Sequence, residues 1–341
     1  MAVTTISDLF TPDIWIPGVA EKVTKLPSII NSGLVIRDPQ IDQAASGGGI
    51  TAQLPFFKEP NPSRQIQQEN VAPTINSVTS AKQIAVMCNS VSPIGVTALS
   101  AGISGTDPLG FALSVIAGIR LRQRQDMLLS TLRGTFDNAA APAGGTGALK
   151  SLRNDIFLEA GNSATSANLF SGGAFIDTVS VLGEVASDLE KGIVLCHSTI
   201  YAAMRKQNLI TVLLNSDNKP IEYYQGYRIF QSDLLTRAGG TNGKVYDTYI
   251  AQMGSVLMGD KPQSSEVGDV AHLVLDNSDV AKNNVAVYDR TRSILHVQGT
   301  KWVGTPALSS PSDAELSTAA NWQLAFGDIK NVKIACLRTN G

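Results

Sequence analysis

The sequence predicts an α+β chain, on three observations. A single helix of about 30 residues, far above the usual three to four turns, stands before its middle. Two strand-like runs precede that helix, and from residue 171 onward short strands and helices alternate as in a compact α/β body. The chain has 341 residues, enough for roughly two or three domain-sized units. Hydrophobic residues make up 43%, which excludes a mostly disordered chain. The formal net charge is −2, so no overall attraction draws the protein onto nucleic acid or acidic lipid. Contact with DNA would have to come from local patches.

Residues 1–48 show no sustained period and carry Pro12, Pro17, Pro27 and Pro39, yet Leu9, Phe10, Ile14, Trp15, Ile16, Ile29 and Ile30 are apolar. An irregular segment this rich in large hydrophobes is expected to lie against a surface, its own body or a neighbour. In "ITAQLPFF", Ile50, Ala52, Leu54 and Phe56 alternate onto one face, the period of a half-buried strand. The polar, proline-rich "KEPNPSRQIQQENVAPT" follows, and "SVTSAKQIAVMC" resumes strand character. This reads as a long hairpin with a wide loop, and a two-stranded hairpin is marginal unless something packs on it.

The long helix follows in "TDPLGFALSVIAGIRLRQRQDMLLSTLRGTFDNA". Asp107 is placed to cap it and Pro108 suits its first turn, where a missing N–H is harmless. Leu109, Leu113 and Ile116 stripe one end; Leu128, Leu132 and Phe136 stripe the other at i+4 steps; "RLRQRQD" forms a polar belt between them. At 1.5 Å per residue the rod spans roughly 45 Å, the proportions of a strut. Beyond it, Phe175, Val179, Leu182, Ala186 and Leu189 predict a helix stopping at Gly192. "IVLCH" reads as a buried strand, and Ser198 as the cap of a helix over "TIYAAMRKQ". Strand-like runs at "YYQGYRIFQSD", "KVYDTYIAQMGSVLMGD" and "VAVYDRTRSILHVQGTKW" follow. Ser312 and Glu315 form a capping box, and "DIKNVKIACLRTN" closes the chain as a strand.

Chemical motifs are weak. "GGTGALKS" (144–151) approaches a phosphate-binding loop through Gly144, Lys150 and Ser151, but Leu149 fills the slot where that loop needs its last glycine. It reads as a flexible connector. Cys196 and His197 are neighbours on a strand and so point to opposite faces, which prevents a nucleophile–base pair. The other histidines, His272 and His296, have no second ligand at metal spacing, and no zinc site, dinucleotide fingerprint or hydrolase elbow is found. Neither cofactor nor metal is expected. Cys88, Cys196 and Cys336 are scattered, which fits a reducing compartment. The opening "MAVTTISDLF" lacks the features of a signal peptide, and the longest apolar run is too short for a bilayer. Among basic residues, Arg120 and Arg124 share a helix face while Arg122 points away; they suggest a solvated or intersubunit ion-pairing face, or a sequence-independent phosphate contact.

The order of these elements resembles the major capsid proteins of tailed bacteriophages, of the Hong Kong 97 fold. The later segments are the most specific part: "YYQGYRIFQSD", "YIAQMGSVLMGDKP", "RSILHVQGTKW" and "AELSTAANWQLAFGDIKNVKIACLRTN" are similar to runs in many phage coat proteins. The resemblance implies an N-terminal arm (1–48) and an extended hairpin loop (49–90). It implies a peripheral domain (91–170 with 284–310) carrying the spine helix 107–137, and an axial domain (171–283 with 311–341). It further implies a non-enzymatic, self-assembling protein forming pentamers and hexamers that close into an icosahedral virion shell around double-stranded DNA. Assembly would take place in the host bacterial cytoplasm, with no membrane contact. Expected partners are other copies of the chain, non-specifically held packaged DNA, the portal, and scaffold or decoration proteins.

Some members of the family carry a cleaved scaffolding segment before the arm. This chain begins almost directly with the arm, so a separate scaffold protein, or none, is expected. Some members also crosslink a loop lysine to a neighbour; Lys58 lies in the loop, but no autocatalytic crosslink is predicted. Lys58, Arg64, Arg120 and Arg124 are the basic residues singled out for contact with a neighbour or with DNA. The alternative shell reading is an encapsulin, which encloses protein cargo; the alternative from another class is a cytoplasmic α/β enzyme.

Overall fold

In the computed structural model, described residues are 29–46, 49–60, 64–66, 69, 72, 74–97, 108–136, 147–158, 164–188, 191–214, 218–238, 244–260, 273–276 and 284–340; for 31, 96–97, 108–117, 238, 273–276 and 284–287 only the backbone is described. The apolar residues of the arm from Leu9 to Ile16, the Asp107 cap, Gly144, Leu189 and His272 lie outside these residues, as do the side chains of Leu109, Leu113 and Ile116.

The first sheet is built on β3 (Ser80–Thr97), an 18-residue strand. Its first half pairs with β2 (Thr51–Phe57), forming the base of the hairpin, and its second half with β13 (Asn284–Val297). Pro93 falls in the second half, where the other edge of β3 carries no described strand, a position at which a residue without an N–H is tolerated. The remaining members are β1 (Val35–Arg37), β11 (Val256–Asp260), β12 (Leu273–Asp276), β14 (Thr300–Trp302) and β15 (Trp322–Leu324), with α1 (Pro39–Ser46) packed on one face. Ile41 and Ala45 of α1 close a small core with Ala52, Ala85, Met87 and Ile294.

The second sheet runs in the order β4 (Arg153–Asp155), β16 (Ile334–Thr339), β10 (Lys244–Gln252), β5 (Gly192–Cys196), β8 (Tyr227–Gln231), β7 (Pro220–Tyr224) and β6 (Ile210–Leu214); β9 (Thr236–Ala238) also pairs with β10. Its central strands are covered on both faces, which explains the near-continuous apolar runs in β5 and β16. On one face, Phe175, Ile200 and Met204 from α3 (Gly172–Val181) and α4 (Ser198–Lys206) meet Val194, Ile250 and Leu337. On the other, Leu128, Leu132 and Phe136 of the long helix α2 (Pro108–Phe136) pack against Leu195, Tyr249, Ile334 and Cys336. The strut helix ends in the main core, which it shares with Trp302 and Trp322 of the first sheet.

Two expectations are corrected. The helix expected to reach Gly192 ends at Val181: Gly183 takes φ +62°, a left-handed conformation, and the chain continues as a 3₁₀ turn over Gly183–Ser187. Gly192 instead opens β5. The cap of α4 is His197, whose Nδ1 accepts from the Thr199 N–H at 3.0 Å, and Ser198 is already inside the helix. The box at Ser312 and Glu315 is present and starts the short α5 (Asp313–Leu316). Leu149, in the slot of the missing glycine, is fully buried, and its N–H donates to Thr135 O at 2.9 Å.

Candidate assembly surfaces and the charge networks behind them

The hairpin is firmly held at its base. Phe56 of β2 meets Phe326 edge-on, with ring centroids 5.2 Å apart. The Gln83 Oε1 of β3 accepts from Gly299 N–H at 2.8 Å and lies 3.1 Å from His296 Nε2. That geometry makes Nε2 the protonated nitrogen of a neutral ring. Burial holds the imidazole neutral by lowering its pKa to about 4.

Beyond the base the hairpin leaves the body. Gln65 ties its two arms together, accepting from Thr74 N–H and donating to Thr74 O, both at 2.7 Å. Phe57, Ile66, Ile75 and Val78 stand 79, 77, 92 and 63% exposed. Each would gain about 1.5–3 kcal/mol if buried. Lys58 and Arg64 are exposed on the same segment.

Arg120 and Arg124, singled out for contact with a neighbour or with DNA, are ion-paired within the chain. Arg120 grips the buried Asp289 of β13 with two hydrogen bonds, its Nε donating to Oδ2 at 2.7 Å. Arg124 pairs with Asp260 of β11 at 3.0 Å. Asp260 N–H in turn donates to Asp42 Oδ1 at 2.9 Å, and Asp42 holds Arg37 at 2.7 Å. Burial pushes the Asp260 carboxyl upward against the pull of Arg124 and Arg37. Together with Gln123, which donates to Ser92 Oγ at 2.7 Å, these contacts pin the polar belt of α2 across three strands of the first sheet. Arg122 is exposed, as its i+2 position requires.

A second network joins α2 to the second sheet. Asp247 of β10 is fully buried and receives Arg237 at 2.8 Å, Arg338 at 3.3 Å and Arg133 at 3.8 Å. Arg133 also donates to the carbonyls of Leu234 and Thr236. Asp155 of β4 extends the chain of charges to Arg153 at 2.6 Å and to Arg338 at 3.7 Å. Burial works against the Arg237 charge, but Asp247 outweighs it and the net shift is upward. No local signal marks this cluster, whose members come from one helix and four strands.

Cys196 is buried and its thiol is directed to Phe230 O at 3.8 Å, while His197 sits at the start of α4 with its ring 4.6 Å from that of Tyr246. Burial pushes the thiols of Cys88, Cys196 and Cys336 up to about 12, which keeps them protonated and unreactive. Among the described residues, no group of three or more His, Cys, Asp or Glu is placed to hold a metal, and no helix is long and apolar enough to cross a membrane.

A hairpin projecting from a two-sheet body, with a strut helix pinned between the sheets, is the architecture of the Hong Kong 97 fold. Among solved structures, the capsid of Ralstonia phage GP4 matches with a TM-score of 0.61 at 9% identity, covering 99% of this chain and 98% of that one. The capsid of cyanophage Pam1 matches with a TM-score of 0.58 at 10% identity, covering 96% of this chain and 100% of that one. No family model matches the sequence. The major capsid protein of Bacillus phage SPP1 is 27% identical over 342 aligned positions, 98% of this chain and 97% of that protein. Over its full length the chain is thus similar in sequence to a tailed-phage major capsid protein and similar in fold to phage capsid subunits.

Proposed function

We propose that this chain is the coat subunit of a tailed-phage head, assembling as pentamers and hexamers into an icosahedral shell around double-stranded DNA. The observation that carries this reading is the hairpin. Its base is fixed to the body, yet Phe57, Ile66, Ile75 and Val78 remain exposed. A monomer gains nothing from an exposed apolar hairpin, whereas a shell covers one such hairpin per subunit and multiplies a modest contact by its symmetry.

In this reading residues 1–48 serve as the arm and 49–90 as the extended loop. Residues 91–170 with 284–310 form the peripheral domain, and 171–283 with 311–341 the axial domain. The role is structural rather than catalytic. Of the basic residues singled out, Lys58 and Arg64 serve contact with a neighbour or with DNA, because Arg120 and Arg124 hold their own subunit together. Lys58 forms no covalent crosslink. Portal, scaffold and decoration proteins are partners of the assembled shell, which is built in the host cytoplasm.

The test is negative-stain electron microscopy of the purified full chain, alone and co-expressed with the neighbouring phage proteins, followed by assay of the particle contents. Closed shells holding DNA are expected. Shells that hold only protein cargo would favour the encapsulin alternative, and uniformly small particles under both conditions would overturn the shell reading.

A further inference from the structure

We propose that residues 14–28 of the chain itself lie across the outer half of the second sheet, on the face of β8, β7 and β6 that continues the main core. This placement belongs to the unassembled subunit and does not depend on the shell reading.

The face in question is only half covered. Two rows of side chains cross it from the core outward. Ile193, Arg228, Tyr223 and Thr211 stand side by side on β5, β8, β7 and β6. In the next row Leu195 neighbours Phe230, and Ile221 neighbours Leu213 further out. Ile193 and Leu195 are buried in the main core with the end of α2. From β8 outward the cover stops. Arg228, Phe230, Tyr223 and Ile221 are half-buried, Thr211 is exposed and Leu213 is 54% exposed. The opposite face of the same strands is closed, since Tyr224, Tyr227 and Ile229 pack with α3 and α4. A sheet buries its apolar faces under further layers, and this half of one face lacks its layer.

Chain continuity selects the occupant. Ile29 is fully buried in the main core, and a 3₁₀ turn over Ile30–Ser32 leads from it to Gly33. A Cβ on Gly33 would stand 3.7 Å from Ile193 Cδ1, and Arg228 is the next residue outward from Ile193. The chain before Ile29 therefore enters the body beside the border between the covered and open halves. Strands lie about 4.8 Å apart, so the three steps from Ile193 to Thr211 span about 14–15 Å, the reach of about five extended residues. The segment 14–28, "IWIPGVAEKVTKLPS", brings Trp15, Val19, Val23 and Leu26 for the apolar part of the face. It also brings Glu21 to an arginine that lacks a carboxylate. Arg228 lies over the Phe230 ring, 4.8 Å from its centroid, and forms no ion pair among the described residues. A tethered segment meets its site at an effective concentration of roughly millimolar, which favours it over the same segment of another copy. Val212 and Leu214, 54 and 69% exposed, point to the other face of β6, and the outer edge of β6 carries no described strand. The segment leaves both open for assembly.

The test uses unassembled subunits of the full chain, isolated by sedimentation. Val19→Cys, Val23→Cys and Leu26→Cys are each combined with Thr211→Cys and treated with a short bis-maleimide. The native Cys88, Cys196 and Cys336 are buried and do not compete. At least one pair is expected to join within a single chain, with a yield unchanged on tenfold dilution. No joined pair, or joining only between chains, overturns the placement. Arg228→Glu, on the face itself, is expected to lower the single-chain yield about threefold or more, while Arg228→Lys keeps it. Equal yields in these two variants would also overturn the placement, since the segment would then pass Thr211 without using this face. The shell reading stands under every one of these outcomes.

Discussion

Two glycines of the same helix should respond in opposite directions to the same substitution. Gly134 lies where α2 is crossed by α5 and the Trp322 ring. A Cβ there would stand 2.0 Å from Leu316 O and 2.7 Å from Trp322 Nε1. Leu316 O is a backbone atom and accepts the indole N–H of Trp322 at 2.8 Å, so no side-chain rotation relieves the clash. Replacing glycine by alanine inside a helix ordinarily gains about 1 kcal/mol. Against that stand about 1–3 kcal/mol for overpacking and about 1 kcal/mol for the displaced hydrogen bond. Gly134→Ala is therefore expected to destabilise the subunit by about 1–3 kcal/mol in net terms. At Gly118, which is exposed, a Cβ meets nothing within 4 Å. Gly118→Ala should accordingly stabilise by up to about 1 kcal/mol. Thermal unfolding of unassembled subunits, where 1 kcal/mol moves the midpoint by about 1–2 °C for a chain of this length, separates the two. A Gly134→Ala subunit as stable as Gly118→Ala would refute the packing of α2 beneath α5.

Acid should weaken the subunit through His296. Its folded pKa of about 4 lies below the ordinary imidazole value of 6.5, so between those values the unfolded chain binds the extra proton. The stabilising contribution is full above pH 6.5 and falls away toward pH 4, by about 3 kcal/mol in all. Denaturant titrations at several pH values should show this slope, and His296→Gln should flatten it; an unchanged slope would exclude His296 as its source. At the buried network, Asp247→Asn leaves Arg133, Arg237 and Arg338 around a neutral amide and should lose about 3–5 kcal/mol. A loss below about 1 kcal/mol in denaturant unfolding would mean that Asp247 does not hold the cluster together.

The strut helix was legible because Leu128, Leu132 and Phe136 repeat at i+4 and Pro108 marks its start. The alternation in β2 was equally plain, and Ser312 with Glu315 carried its cap in the sequence. Apolar spacing overran the end of α3, because Val179, Leu182 and Ala186 all pack on the same core through the 3₁₀ turn while the positive φ of Gly183 has no signature in that pattern. The roles of Arg120 and Arg124 depended on Asp289 and Asp260, which only the pairing of β13 and β11 brings to the helix. The cluster around Asp247 was hidden for the same reason. The exposed position of Leu209–Leu214 follows from the strand order, which no local pattern in the run reveals.

The central claim is that the surfaces left uncovered in the subunit are those that assembly covers. Hydrogen–deuterium exchange on unassembled subunits and on purified particles tests it directly. Protection should rise on assembly at hairpin residues 64–66 and 74–79 and at 210–214. The buried strands β5 and β16 should already be protected in the unassembled subunit. Unchanged exchange in both the hairpin and β6, in particles seen to be intact, would contradict the account.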